Sequence, residues 1–163
     1  MTSRRTTDSL TGTCAFRLMP NDPLVDGPSS ATLTPVGGQG FTLHYAWVHP
    51  ADGAQQGVLL VGGTDDAGRV EGALFDTWHQ QPGLMTLHGT RDGDRVELAG
   101  TYMEEWGWTV AVEPAHEAVT MTMCNVVPES ALSMAPPDGP PMSAGPYDVM
   151  VASWRREPVR RSS

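Results

Sequence analysis

The sequence predicts an all-β protein: a single antiparallel up-and-down β-barrel of about ten strands. Three observations lead there. Apolar residues alternate with polar ones at period 2 along nearly all of the 163 residues, the repeat of a strand with one buried face. The apolar runs are short and are separated by Gly, Asn and Asp in the combinations that tight hairpins need. A meander of that many strands would expose its edges, so it is expected to curl into a barrel or sandwich that buries them.

Taken in order, the runs are Leu10 to Met19, Ser30 to Pro35, Phe41 to Val48, Gly57 to Gly63 and Arg69 to Trp78. Leu84 to Thr90, Arg95 to Met103, Gly107 to Glu113, Ala118 to Val126 and Tyr147 to Arg155 follow. Val36-Gly37-Gly38-Gln39-Gly40, Ala51-Asp52-Gly53, Asp65-Asp66-Ala67-Gly68 and Arg91-Asp92-Gly93-Asp94 supply the left-handed positions of the turns between them. Pro128 to Pro146 breaks the rhythm: it is too rich in Pro for a strand, and a helix is expected only as a turn at Glu129 to Met134. The domain is thus expected at 9–156, with this Pro-rich loop at 128–146, a flexible N-terminus at 1–8 and a flexible tail at 157–163.

All ten basic residues are Arg and none is Lys, which removes Schiff-base chemistry, a lysine nucleophile and a phosphate-loop lysine. A net charge of -9 argues against a nucleic-acid partner, and the Arg pairs at 4–5, 155–156 and 160–161 read as solvated termini. Met1 to Asp8 carries no secretory or twin-arginine signal, and no apolar run approaches the roughly 20 residues of a membrane span. A cytoplasmic protein without a membrane partner is expected, and a homodimer is left open.

The alternation assigns faces. Phe41, Leu43, Tyr45 and Trp47 form one inward row; Val70, Gly72, Leu74, Asp76 and Trp78 a second; Val96, Leu98, Gly100, Tyr102 and Glu104 a third; Trp106, Trp108, Val110 and Val112 a fourth. Polar-tipped aromatics beside carboxylates suit a cavity for a small apolar or aromatic ligand, lined by Tyr45, Trp47, Trp78, Tyr102 and Trp108.

Several matching stretches are similar to a family of small bacterial lipocalin-like (calycin) barrel proteins grouped as a domain of unknown function. They are Leu10-Thr11-Gly12-Thr13, Tyr45-Ala46-Trp47, Gly57-Val58-Leu59-Leu60-Val61-Gly62 and Asp76-Thr77-Trp78-His79. Gly100-Thr101-Tyr102, Glu105-Trp106-Gly107-Trp108 and Met123-Cys124-Asn125-Val126-Val127-Pro128 complete the set, in order along nearly the whole chain. Cys14 stands where a Trp is expected, and the stretch after Pro128 is longer than the pattern. The resemblance implies a lipocalin-like or fatty-acid-binding-protein-like (calycin) fold and carries no reaction.

Asp76, inward among aromatics, is expected to have its charged form disfavoured and so to serve as an acid or base; the plainer reading is that it satisfies backbone N–H groups or an Arg at the barrel mouth. With Glu104, it would be the catalytic carboxylate of a cofactor-free isomerase or cyclase, the alternative to simple binding; Glu104-Glu105 reads more plainly as a solvated turn. His44 and His88, mid-strand, are candidate ligand contacts, whereas His79 is expected outside or at the rim. No His, Cys or acid spacing matches a metal motif, so neither metal nor cofactor is expected; a haem-binding barrel and an interaction module remain further alternatives. Cys14 and Cys124 fall on opposite faces and are expected as free thiols.

Overall fold

The computed structural model describes residues 7–134 and 139–157. It contains β1 (Asp8–Phe16), β2 (Val25–Val36), β3 (Gly40–His49), β4 (Gly53–Val61) and β5 (Arg69–Asp76). These are followed by β6 (Gln80–Asp92), β7 (Arg95–Tyr102), β8 (Trp106–Pro114), β9 (Ala118–Val127), α1 (Glu129–Met134) and β10 (Gly145–Arg156). Every strand pairs antiparallel with its neighbour in sequence, and β1 pairs with β10, so the sheet is a closed up-and-down barrel. Each of the ten apolar runs falls on one strand, and those beginning at Leu10, Gly57, Arg69 and Arg95 overrun its end. The turn glycines Gly37, Gly53, Gly68 and Gly93 take φ of 62°, 75°, 77° and 58°, the left-handed conformation their spacing called for.

Closure demands a close approach of β1 to β10. Gly12 pairs with Trp154, and a Cβ at position 12 would stand 2.0 Å from the Ser153 carbonyl oxygen. The Gly of the first-strand motif is therefore a closure device.

Because successive strands run in opposite directions, the connections divide between two ends. One end collects the chain termini and the β2–β3, β4–β5, β6–β7 and β8–β9 turns; we term it the terminal end. The other collects the β1–β2 connection, the β3–β4, β5–β6 and β7–β8 turns and the long β9–β10 connection with α1. Between them the barrel is solid: Leu43, Leu59, Leu74, Leu87, Met121, Met123, Met150 and Trp154 are all fully buried. Each such side chain contributes roughly 1.5–3 kcal/mol on transfer from water, so this layer carries the fold.

The described boundaries are wider than expected at both ends of the domain. Asp8 opens β1, and the Glu157 amide donates to Ser9 O. Residues 1–6 and 158–163, with the expected flexible termini and the Arg pairs at 4–5 and 160–161, lie outside the described residues, as do residues 135–138 of the Pro-rich loop. Arg156 is not a solvated terminus. Its Nε donates to Asp8 Oδ2 at 2.8 Å and its Nη1 to the Ala115 and His116 carbonyls, so it staples β10 to β1 and to the β8–β9 turn.

Candidate functional site

Three residues far apart in sequence form one rung across three strands. Tyr45 on β3 pairs with Gly57 on β4, and Gly57 pairs with Asp76 on β5. Gly57 has no side chain, so the Tyr45 ring passes over it and its hydroxyl donates to Asp76 Oδ2 at 2.6 Å. A Cβ at 57 would sit 2.2 Å from that hydroxyl oxygen. The other carboxylate oxygen, Oδ1, accepts the amides of Trp78 at 2.7 Å and His79 at 2.8 Å, an Asx-type cap on the β5–β6 turn. Asp76 is fully buried.

This geometry corrects the expectation for its charge. Burial alone would raise the Asp76 pKa, but the neighbouring His79 ring, the Tyr45 hydroxyl and the His79 amide together outweigh it and hold the carboxyl below its ordinary value. Asp76 satisfies backbone N–H groups, which is the plainer of its two readings, and its surroundings favour the carboxylate over the neutral acid. Tyr45, buried beside that negative charge, is pushed well above its usual range and stays a phenol.

The Asx cap also turns the chain so that His79 folds inward, against the expectation that it lies outside or at the rim. Its side chain is 4% exposed, with Nδ1 3.3 Å from Asp76 Oδ1 but without the alignment of a hydrogen bond. The imidazole stacks on Trp47 (centroids 5.5 Å apart, planes at 23°) and meets Trp108 at 5.6 Å and Trp78 at 4.7 Å. Phe16 and His49 extend the cluster: Phe16 lies 4.9 Å from Trp47, and His49 stacks on Trp78 at 4.8 Å. These rings come from β1, β3, β8 and the β5–β6 turn, and together they fill this end of the barrel, the aromatic end.

Within that cluster, three ring nitrogens are buried with neither a hydrogen-bond nor an ion-pair partner: Trp47 Nε1, Trp108 Nε1 and His79 Nε2. Trp78 differs, since its Nε1 reaches Asp52 Oδ2 on the β3–β4 turn at 2.8 Å. Beside the cluster, the Tyr102 hydroxyl donates to Asn125 Oδ1 at 2.6 Å, Asn125 Nδ2 donates to the Tyr147 hydroxyl at 3.0 Å, and that hydroxyl donates to Leu18 O at 2.9 Å. This relay ties β7, β9 and β10 to the β1–β2 connection. Burial and the nearby Tyr147 raise the Tyr102 pKa, only partly offset by Asn125, so it too stays protonated.

Of the residues singled out from sequence, Tyr45, Trp47, Asp76 and Trp108 are buried inside, and Trp78 and Tyr102 pack half-buried at the aromatic end. Three do not join them. Glu104 is exposed because β7 ends at Tyr102 and Met103 and Glu104 form the turn, with φ of 46° and 71°. His44 is exposed on the outer face of β3, between inward Leu43 and Tyr45, near Gln56 Oε1 at 3.3 Å. His88, 66% exposed, faces Glu71 across the outer surface at 3.5 Å. Sequence reasoning missed His79, Phe16, His49, Asn125 and Tyr147 as members of this end; the available signal was Asp76 three residues before a His in a turn, the spacing of an Asx cap. Cys14 points in and Cys124 lies on the opposite face, both free, with the Cys124 thiol donating to Asp148 Oδ1 at 3.2 Å.

Fold and site define a closed ten-stranded antiparallel barrel with a solid middle and one end built of aromatic rings and histidine. No protein-family model matches the chain, and no curated protein matches it.

Proposed function

We propose that this barrel binds a small apolar or aromatic molecule at its aromatic end, and that the ligand presents a hydrogen-bond acceptor to the inner rings. The observation that carries this is the set of unpartnered nitrogens on Trp47, His79 and Trp108. A buried donor without a partner costs about 1–3 kcal/mol, and folded proteins leave few of them. The Trp47 and Trp108 indole donors both lie on rings in contact with His79, so one acceptor group seated beside that ring would answer both.

The ligand's apolar body would stack on Trp78 and Tyr102, the two half-buried members of the cluster. Tyr45 and Asp76 act from below. They fix the β5–β6 turn and thereby the position of His79, and they make no contact with the ligand themselves. Trp47 and Trp108 are only 2% and 6% exposed, so binding requires the outer rings to part. Asp76, fully buried and committed to three donors, supports the binding reading over catalysis by that carboxylate.

The test is a titration of 15N-labelled protein with paired aromatic compounds, each carboxylate or amide matched to its hydrocarbon counterpart, read at the tryptophan indole N–H resonances. Acceptor-bearing members are expected to shift the Trp47 and Trp108 signals downfield, and Trp108→Phe to weaken their binding about 3–10-fold, the value of one hydrogen bond. The proposal is overturned if no compound in the panel moves those two resonances.

A further inference from the structure

A ligand-sized open space lies at the opposite end of the barrel from the aromatic cluster. At the terminal end, the β2–β3, β6–β7 and β8–β9 turns and the ends of β1 and β10 surround a cleft of about 480 Å³. That volume falls within the range of small-molecule sites, roughly 300–1,000 Å³. The solid middle layer of Leu43, Leu59, Leu74, Met121 and Met123 separates it from the aromatic end, so the two sites would be filled independently.

The lining divides by chemistry. Leu33, Pro35, Phe41 and Pro114 give an apolar floor, and Arg91 and Arg156 bring two guanidinium groups to it. Arg156 is held in place before any ligand arrives: Asp8 and the carbonyls of Ala115 and His116 take its Nε and Nη1, and these bonds do not use Nη2. Arg91 lies with its Cζ 5.7 Å from the centre of the Phe41 ring, which sets a cation directly against the apolar floor. Asp8 and Asp94 balance the two charges, so the cleft is neutral in a chain whose net charge is -9. An anion entering it meets two guanidinium groups without an excess of carboxylates.

We infer that the terminal-end cleft is a second ligand site, and that it takes a small monocarboxylate with an apolar body: the carboxylate against Arg91 and Arg156, the body on Leu33 and Phe41. Arginine suits that role because its planar donor edge matches a carboxylate and stays charged. The cleft admits an obstruction that leaves the fold alone. Gly38 lines it, has no atom within 4 Å of where a Cβ would stand, and does not adopt a left-handed φ.

Hexanoate, hexan-1-ol and hexylamine are the probes, titrated into the intact chain and followed by backbone amide shifts. Hexanoate is expected to move Gly38, Gly40 and Ala115 saturably while the indole signals of Trp47 and Trp108 stay still. Hexan-1-ol and hexylamine should bind at least about tenfold more weakly, as should hexanoate to Arg91→Gln, which follows from losing a charge-assisted hydrogen bond. Gly38→Leu should abolish binding with an unchanged unfolding midpoint, which keeps the test meaningful if Arg91→Gln fails to fold. Three results each overturn the inference: no saturable shift at the cleft, shifts at the indoles instead, or an alcohol or amine that binds as tightly as the acid.

Discussion

Replacing Asp76 with Asn separates a structural carboxylate from a catalytic one. Two effects oppose each other. Removing the charge relieves the cost of burying it, but weakens three bonds, from the Tyr45 hydroxyl at 2.6 Å and the Trp78 and His79 amides at 2.7 and 2.8 Å. Bonds to a charged group are worth about 1.5–3 kcal/mol and neutral ones about 0.5–1.5, so roughly 1 kcal/mol is lost at each. The direction of the pKa decides which effect wins. The carboxyl is held below its ordinary 3.8, so the folded protein favours the ion over its neutral form despite burial. Asn stands in for that neutral form, and Asp76→Asn should cost about 1–3 kcal/mol at pH 7, read as a shift in urea midpoint at constant m. Asp76→Ala leaves the hydroxyl and both amides without an acceptor and should cost about 3–5 kcal/mol. A depressed folded pKa means that the stabilisation is fully present above the ordinary Asp value and is lost as pH falls from there through the folded pKa. The gap between wild type and Asp76→Asn must therefore narrow between neutral pH and pH 3. A variant as stable as wild type at pH 7, or a gap that widens in acid, would refute this reasoning and return Asp76 to the role of a neutral acid.

Other perturbations probe neighbouring parts of the same structure. Gly57→Ala should destabilise by about 2–4 kcal/mol, from overpacking against Tyr45 and loss of its bond to Asp76; a thermal unfolding midpoint equal to wild type would contradict the rung geometry. Cys14, pushed up to about 12 by burial and by the charges of Asp76 and Asp26, should resist a disulfide-exchange reagent until the chain unfolds, whereas the half-buried Cys124 should react slowly in the native protein. Rapid native titration of both thiols would show the barrel to be more open. Replacing Met103-Glu104 by Asn-Gly fits residues to their left-handed φ values and should stabilise by about 1 kcal/mol without altering ligand binding; a loss of stability would be inconsistent with that turn.

Strand positions were legible because period 2 and turn chemistry are local signals, and both agree with the closed topology at every hairpin with a Gly turn. The inward rows through Tyr45, Trp47, Asp76 and Trp108 follow from the same repeat, and so does the outward position of His44 once Leu43 and Tyr45 are placed inside. Alternation stops informing where a strand stops. At Tyr102 the chain turns, and Glu104 leaves for solvent; at Asp76 it turns under the control of that residue's own carboxylate, and His79 enters the cluster that parity denied it.

The rung of Tyr45, Gly57 and Asp76 was out of reach for a different reason. Each residue has an unremarkable local reading: an inward aromatic, a weak point in a strand, an inward acid. Their meaning is relational. If β4 slipped by one residue, Gln56 or Val58 would take the place of Gly57, a side chain would stand where the Tyr45 ring passes, and Asp76 would lose its donor. Gly57 thus specifies register by what it lacks, penalising the neighbouring pairings more than it stabilises its own. Since Asp76 also sets the turn that brings His79 inward, the register of β3, β4 and β5 and the inward position of His79 have one cause, and a substitution at 57 should disturb both together.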